Sequence, residues 1–165
     1  MSGTQTQNRY DVAILGGGNL GEALARGWAR AGIFAESRIA VTRRHPEKLS
    51  TLASEHFVVT DDNAEAVRGA ELIVLAVQPQ QLSQLLAEIG PELDPHRHRV
   101  VSVVSGASIA DIRQAAGGVP LPVVRAMPNT AVMIGESMTC LATEEGAPAE
   151  LLQEAEELFA VVGRT

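Results

Sequence analysis

Three glycines in a row, and a fourth three residues later, stand at Gly16, Gly17, Gly18 and Gly21. Glycine is the residue with the most conformational freedom to lose, so such a cluster marks a backbone that turns tightly or lets something approach closely. The spacing Gly16-x-Gly18-x-x-Gly21 follows a short apolar run at 11–15 and opens a helical pattern at 19–32. In that setting the first glycine permits the turn, the second lets a pyrophosphate approach the backbone, and the third lets helix pack on strand. Asn19 and Leu20 fall in the first helical turn, whose N–H groups lack intrahelical partners and carry partial positive charge. That is a phosphate-binding arrangement, and the motif in this position points to a dinucleotide. The alternative reading is a glycine turn with a purely structural role.

Which dinucleotide is read from the end of the second strand. An acidic residue there bonds the ribose 2′-hydroxyl of NAD. Here the strand pattern ends at Thr42, and Arg43 and Arg44 follow, with no acid before Glu47. A hydroxyl and two guanidiniums suit a 2′-phosphate, so the expected cofactor is NADP(H), with NAD(H) possible. The alternative is that both arginines are ordinary solvated loop residues.

Open parallel sheets bind ligands beyond the carboxyl ends of their strands. Three more segments are expected at that edge: Ala76, Val77, Gln78 and Pro79; then Ser105, Gly106 and Ser108; then Met127, Pro128, Asn129 and Thr130. Read alone, Pro128-Asn129 is a turn signal. No catalytic acid–base pair is evident. His45, His56, His96 and His98 fall in loops or at element starts and are expected at the surface, and Glu136 and Asp111 lack partners. The single cysteine, Cys140, excludes an internal disulfide and a cysteine-based metal site; it reads as a buried, inert thiol. No metal is expected.

The elements that must position these residues alternate along the chain. Strand patterns fall at 11–15, 38–42, 56–60, 71–77, 99–105, 121–127 and 136–143. Helical patterns fall at 19–32, 46–55, 62–70, 79–93, 108–118 and 148–163, several opened by Pro, Asp or Ser and closed by glycine. This alternation predicts an α/β fold with a doubly wound, mostly parallel sheet of the Rossmann type. One domain is expected over 11–165, behind a flexible polar lead-in at 1–10.

Composition narrows the classes. The 165 residues are 45% hydrophobic but only 3% aromatic, so the core must be aliphatic. The net charge of −7 lacks the basic footprint of a nucleic-acid binder. The dense basic run His96–Arg99 reads as a solvated loop. No apolar run approaches membrane-spanning length, and the N-terminus lacks the apolar core of a signal peptide. A cytoplasmic location is expected.

Together "AILGGGNLGEALARG", "VTRRHPEKL", "LAVQPQ" and "VVRAMPNTAV" resemble the pyrroline-5-carboxylate reductases, in the family's order from about residue 11 onward. The block Arg125–Thr130 is the most specific of them. The resemblance implies hydride transfer from NADPH or NADH to the cyclic imine 1-pyrroline-5-carboxylate, giving L-proline. It implies that Gly16, Gly18, Asn19 and Leu20 line the pyrophosphate and that Thr42 and Arg43 hold the 2′-phosphate. Ala76, Val77 and Pro79, with Met127, Pro128 and Asn129, would surround the ribose and nicotinamide. The sequence departs from the family at Gln78, where lysine is common. The family also continues into a helical domain that forms a homo-oligomer and supplies much of the substrate site, whereas this sequence stops at "VVGRT", as an excised N-terminal domain or truncated product would. The alternatives are a one-domain deazaflavin-dependent NADP reductase and a non-catalytic NADP(H)-binding module.

Overall fold

The computed structural model describes residues 8–165. The first strand, β1 (Val12–Leu15), leads through the glycine turn into helix α1 (Asn19–Arg30). Then follow β2 (Ile39–Thr42), α2 (Ser50–Ser54), β3 (Val58–Thr60), α3 (Asn63–Gly69), β4 (Leu72–Leu75) and α4 (Pro79–Ile89). The second half holds β5 (Arg99–Ser102), α5 (Ile109–Ala115), β6 (Val123–Met127), β7 (Ser137–Met138), β8 (Cys140–Ala142), α6 (Ala149–Ala160) and β9 (Gly163–Arg164).

Seven strands form one sheet in the order β3-β2-β1-β4-β5-β6-β8. Every pairing is parallel except the last, β6 with β8. This is the doubly wound order with a topological switch between β1 and β4, and an antiparallel strand on one edge. Alternation along the strands explains the two-sided core. Val12 and Ile14 point with Leu24, Trp28, Leu52 and Phe159 on one face. Ala13 and Leu15 point with Val67, Leu82, Leu86 and Ile112 on the other. A strand buried on both faces needs an unbroken apolar sequence, which Leu72–Leu75 supplies.

Local signals fix the helix starts. Asp62 accepts the Glu65 N–H at 2.8 Å ahead of α3. Ser108 and Asp111 form a reciprocal capping box on α5, and Gln78 and Gln81 do the same on α4. The stretch 136–143 is not one strand. Thr139, almost fully buried, separates β7, which pairs with the C-terminal β9, from β8, which pairs with β6. The helix expected at 46–55 begins as a 3-10 turn at Pro46–Leu49. Among the described residues no helix is long and apolar enough to cross a membrane.

Four expectations are corrected. Of the lead-in expected at 1–10, residues 1–7 lie outside the described residues, but Tyr10 is part of the domain. Its side chain is buried, its N–H donates to the Gly69 carbonyl at 2.8 Å, and its ring fills the space beside Gly69. Cys140 is exposed, because β8 is the sheet's edge. His98 is buried, because its ring is fully partnered as a neutral imidazole. Its Nδ1 accepts the Asp94 N–H at 2.9 Å, and its Nε2 lies 3.2 Å from the Val67 carbonyl, to which it donates in that tautomer. The run His96–Arg99 is therefore only partly solvated: Arg97 also donates to the Arg68 carbonyl at 2.6 Å.

Burial, and then the neighbouring Arg97 guanidinium, hold the His98 imidazole below its ordinary value. Protonation would also set a second N–H against the Asp94 donor. As pH falls below about 6.5 the unfolded chain takes up a proton that the folded chain resists. Stability should decline in that window by up to about 1.4 kcal/mol per pH unit from this group. Urea unfolding across pH 5 to 8 checks it: the decline should be visibly shallower in His98→Gln, and identical slopes would remove the role given to His98.

Candidate functional site

The glycine turn is held from two sides. The Thr42 carbonyl, at the end of β2, accepts the N–H of Gly16 at 3.2 Å and of Gly17 at 2.7 Å. On the β4 side the Ala76 N–H donates to the Leu15 carbonyl at 2.9 Å. Gly16 has φ +119°, and a Cβ there would lie 2.5 Å from the Ala76 carbonyl oxygen. Gly21 has no room either, since a Cβ would meet the Gly16 carbonyl oxygen at 2.1 Å. The third glycine of the motif is thus required by the first. Gly18 differs: a Cβ would meet nothing within 4 Å, and no side chain caps α1. The first helical backbone bond is from Glu22 N–H to the Gly18 carbonyl at 2.9 Å, so the N–H groups ahead of it have no intrahelical partner.

Beside this turn, at the carboxyl ends of β1, β2 and β4, lies a cleft of about 540 Å³. It is lined by Gly16, Gly17 and Gly18 from the turn, by Thr42, Arg43 and Arg44 after β2, and by Ala76, Val77 and Gln78 after β4. The structure therefore brings seven of the expected residues to one cavity: Gly16, Gly18, Thr42, Arg43, Arg44, Ala76 and Val77. Pro79 is the first residue of α4, next to the lining Gln78.

The remaining expected residues are placed otherwise. Asn19 lines a separate hollow of about 290 Å³ with Val132, Met133 and Val161. Leu20 packs against the core. Met127 ends β6, two strands beyond β4 in the sheet, Pro128 and Asn129 follow it, and none of the three lines the cleft. The Asn129 side chain accepts the Ala131 N–H at 3.1 Å and caps the turn at Thr130–Ile134, so its carbonyl oxygen serves the backbone.

Cations and acceptors share the cleft. Arg43 donates to the Gly17 carbonyl at 2.8 Å and stands 3.9 Å from Glu22. It is partly committed to holding the turn. Arg44, His45 and Lys48 line the same cavity. Sequence reasoning missed the wall formed by α3 and α4. Asn63, the first residue of α3, and Gln81, Gln84, Leu85 and Glu88 of α4 also line the cleft. The four α4 positions follow the i, i+3, i+4, i+7 spacing of one helical face, a signal present in the sequence. Asn63 was reachable by applying the strand-end rule to β3 as well.

Among the described residues His45 is the histidine that lines the cleft, and its Nδ1 lies 3.4 Å from the Glu47 carboxylate. What the arrangement offers is the Gly18 N–H, a helix N-terminus and nearby cations, which fits a phosphate-bearing nucleotide. The open space at Gly18 and the uncapped start of α1 are the features that such a ligand requires.

This geometry is that of a dinucleotide-binding domain, and comparison with known proteins gives it a family. The chain belongs to the family described as "NADP oxidoreductase coenzyme F420-dependent", whose model matches residues 11–106. Over nearly its whole length it matches the nucleotide-binding part of pyrroline-5-carboxylate reductases. It is 41% identical over 150 residues to pyrroline-5-carboxylate reductase 2 of Dictyostelium discoideum, covering 90% of this chain and 50% of that protein. The solved pyrroline-5-carboxylate reductase of Coxiella burnetii superposes with a TM-score of 0.86 at 28% identity, covering 95% of this chain and 58% of that one. The Plasmodium falciparum pyrroline carboxylate reductase, solved with NADP bound, shares the fold with a TM-score of 0.81 at 23% identity, covering 96% and 57%. The chain thus spans about half the length of the curated relatives it matches.

The two glycines should respond differently to the same substitution. Gly16→Ala should cost about 3 kcal/mol or more of stability, from positive φ and a clash with backbone. Gly18→Ala, in extended backbone facing open space, should change stability by no more than about 0.5 kcal/mol. Urea unfolding of both variants decides the point; equal losses would mean that the turn is not built as described.

Proposed function

We propose that this chain binds NADP(H) in the cleft beside Gly16–Gly18 and is the nucleotide-binding half of a pyrroline-5-carboxylate reductase. The observation that carries this reading is the 41% identity over 90% of the chain, joined to a glycine turn that borders the cleft. An alignment of that extent takes in Arg125–Thr130, the block on which the family resemblance is most specific. The reaction proposed for the whole protein is reduction of 1-pyrroline-5-carboxylate to L-proline. The substrate is a small imine, and a homo-oligomer is expected to complete the site.

When bound, a reduced nicotinamide would supply the hydride. This chain's part is to bind and orient. The Gly18 N–H and the start of α1 would hold the pyrophosphate, the Gly16 and Gly17 N–H groups being taken by the Thr42 carbonyl, while Arg44 and Lys48 would face the 2′-phosphate. Arg43 would hold the Gly17 carbonyl and so keep the turn's N–H groups aimed. Ala76 and Val77 would flank the ribose, with Pro79 fixing the path into α4. Met127, Pro128 and Asn129 would border the nicotinamide end by virtue of their position at the same sheet edge. Nothing in this part needs a protein acid, since a protonated imine is already electrophilic and positioning supplies the main gain.

The description of the matching family supports a second reading, a reductase that takes electrons from a reduced deazaflavin. The two diverge when the chain is mixed with NADP and either reduced deazaflavin or L-proline: only the second reading gives deazaflavin-driven NADPH formation by the chain itself.

Calorimetric titration with NADPH and NADH tests the cofactor assignment. Wild type should prefer NADPH. Arg44→Ala should weaken NADPH by about tenfold, the worth of one charge-assisted bond, with little change for NADH. Arg43→Ala should weaken both. Binding of neither nucleotide would overturn the reading.

A further inference from the structure

The cleft contains a hydrogen-bonded chain that the cofactor reading does not account for. The Thr42 hydroxyl donates to Asn63 Oδ1 at 2.6 Å. The Asn63 side-chain amide nitrogen donates to the Glu88 carboxylate, 3.2 Å from one oxygen and 3.4 Å from the other. All three residues line the cleft. One strand and two helices meet in this relay: the end of β2, the start of α3 and the cleft face of α4.

Its direction is dictated by chemistry. An ionised carboxylate can only accept, so the nitrogen of Asn63 must face Glu88. The oxygen of Asn63 is then turned to Thr42, and the Thr42 hydroxyl is spent as a donor. What this corner offers a ligand is mainly lone pairs, beside the one Asn63 N–H that Glu88 does not take. A ribose 2′-hydroxyl can donate to such a corner. A fully ionised 2′-phosphate has only acceptor oxygens and finds no donor in the Thr42 hydroxyl, which is already spent on Asn63. Rotating Asn63 by half a turn would present an N–H toward Thr42 and free the hydroxyl to donate, a phosphate-binding polarity. Glu88 opposes that rotation, because it would bring the Asn63 oxygen against the carboxylate.

We propose that Glu88 is a specificity-determining residue: by fixing Asn63 with its oxygen toward Thr42, it holds the adenosine-ribose corner in a hydroxyl-accepting polarity and tempers the preference for NADP(H) that the cations create. This rests on the dinucleotide reading of the cleft. Glu88 acts as a positioning residue, through Asn63. It lies on the exposed side of α4, so its replacement leaves the fold intact. Arg44 and Lys48 attract a phosphate by charge, while the relay favours a hydroxyl by geometry. The chain is therefore built to accept both nucleotides, with their ratio set by the balance.

The test is titration of the chain with NADPH and NADH, comparing ratios of dissociation constants. Glu88→Gln can donate as well as accept, so Asn63 is free to turn, and the NADPH-to-NADH affinity ratio should rise about threefold to tenfold. Removing a carboxylate also removes plain repulsion of a phosphate, so Asp61→Asn serves as the comparison: Asp61 lines the same cleft and has no part in the relay. Its effect on the ratio should be clearly smaller. In an Asn63→Ala background the Glu88→Gln gain should shrink to the size of the Asp61→Asn effect. An unchanged ratio in Glu88→Gln, an equal rise in Asp61→Asn, or a gain that persists without Asn63 would each overturn the relay. Binding of neither nucleotide by the wild-type chain would instead overturn the dinucleotide reading beneath it, a result distinct from the other three.

Discussion

The architecture turns on one tight contact: the backbone of Gly16 pressed against the Ala76 carbonyl, with no space between them for a Cβ. That contact joins the ends of β1 and β4, the two strands on either side of the topological switch. The Thr42 carbonyl closes the knot from the other side by taking two N–H groups of the turn. Three parallel strands are thereby gathered around one loop of backbone. The direction in which α1 leaves the sheet, and hence the aim of its unpaired N–H groups, follows from it. Gly21 completes the arrangement, because α1 can pass over the Gly16 carbonyl only where it has no side chain. The motif is a set of mutual steric requirements, and the opening for a ligand at Gly18 is what those requirements leave free.

Around this rigid turn the electrostatics are mixed. The chain is acidic overall, yet the loop after β2 brings Arg43, Arg44 and Lys48 to the cleft. Glu22 ties Arg26 at 3.0 Å, and Glu55 ties it from α2's end at 2.8 Å, so part of the acidic charge near α1 is already engaged. Arg43 is divided between the Gly17 carbonyl and Glu22. Such a residue acts on a ligand partly through the shape of the turn. Arg44 has no such commitment among the bonds of the described residues. Two adjacent arginines, alike in sequence, therefore have different physical roles, which only their partners distinguish.

The glycine spacing and the alternation of strands and helices made the fold and the location of the cleft legible, because both report backbone requirements that few other residues can meet. The corner built by Asn63 and Glu88 was less so. It is assembled from the start of α3 and from one face of α4, and the α4 face is visible only once the helix is known to flank the cleft. His98 was misread because charge patterning treats histidine as a cation, whereas a neutral imidazole can join a buried N–H to a buried carbonyl. Cys140 was misread because the general tendency of free cysteine to be buried does not reveal a sheet edge. Asn129 illustrates the opposite case: its position after a proline signals a turn, and its side chain does cap one. A family resemblance added the expectation that it borders a cofactor, which is a statement about the sheet edge and not about the cleft.

The core has one large aromatic anchor. Trp28, fully buried on α1, donates its indole N–H to the Leu158 carbonyl at 2.7 Å and meets Phe34 and Phe159 edge to face. It is also the chain's single tryptophan. The same helix that presents its N-terminus to the cleft thus carries, about two and a half turns along, the molecule's one strong emitter in the near ultraviolet. Its light reports a single dry environment, shared by α1 and α6, without contributions from elsewhere. Reduced nicotinamide absorbs in the range where indole emits, so a nucleotide seated at the head of α1 would quench that light by energy transfer through space. The packing residue that joins the two helices is in this way a built-in optical gauge of what happens at the glycine turn.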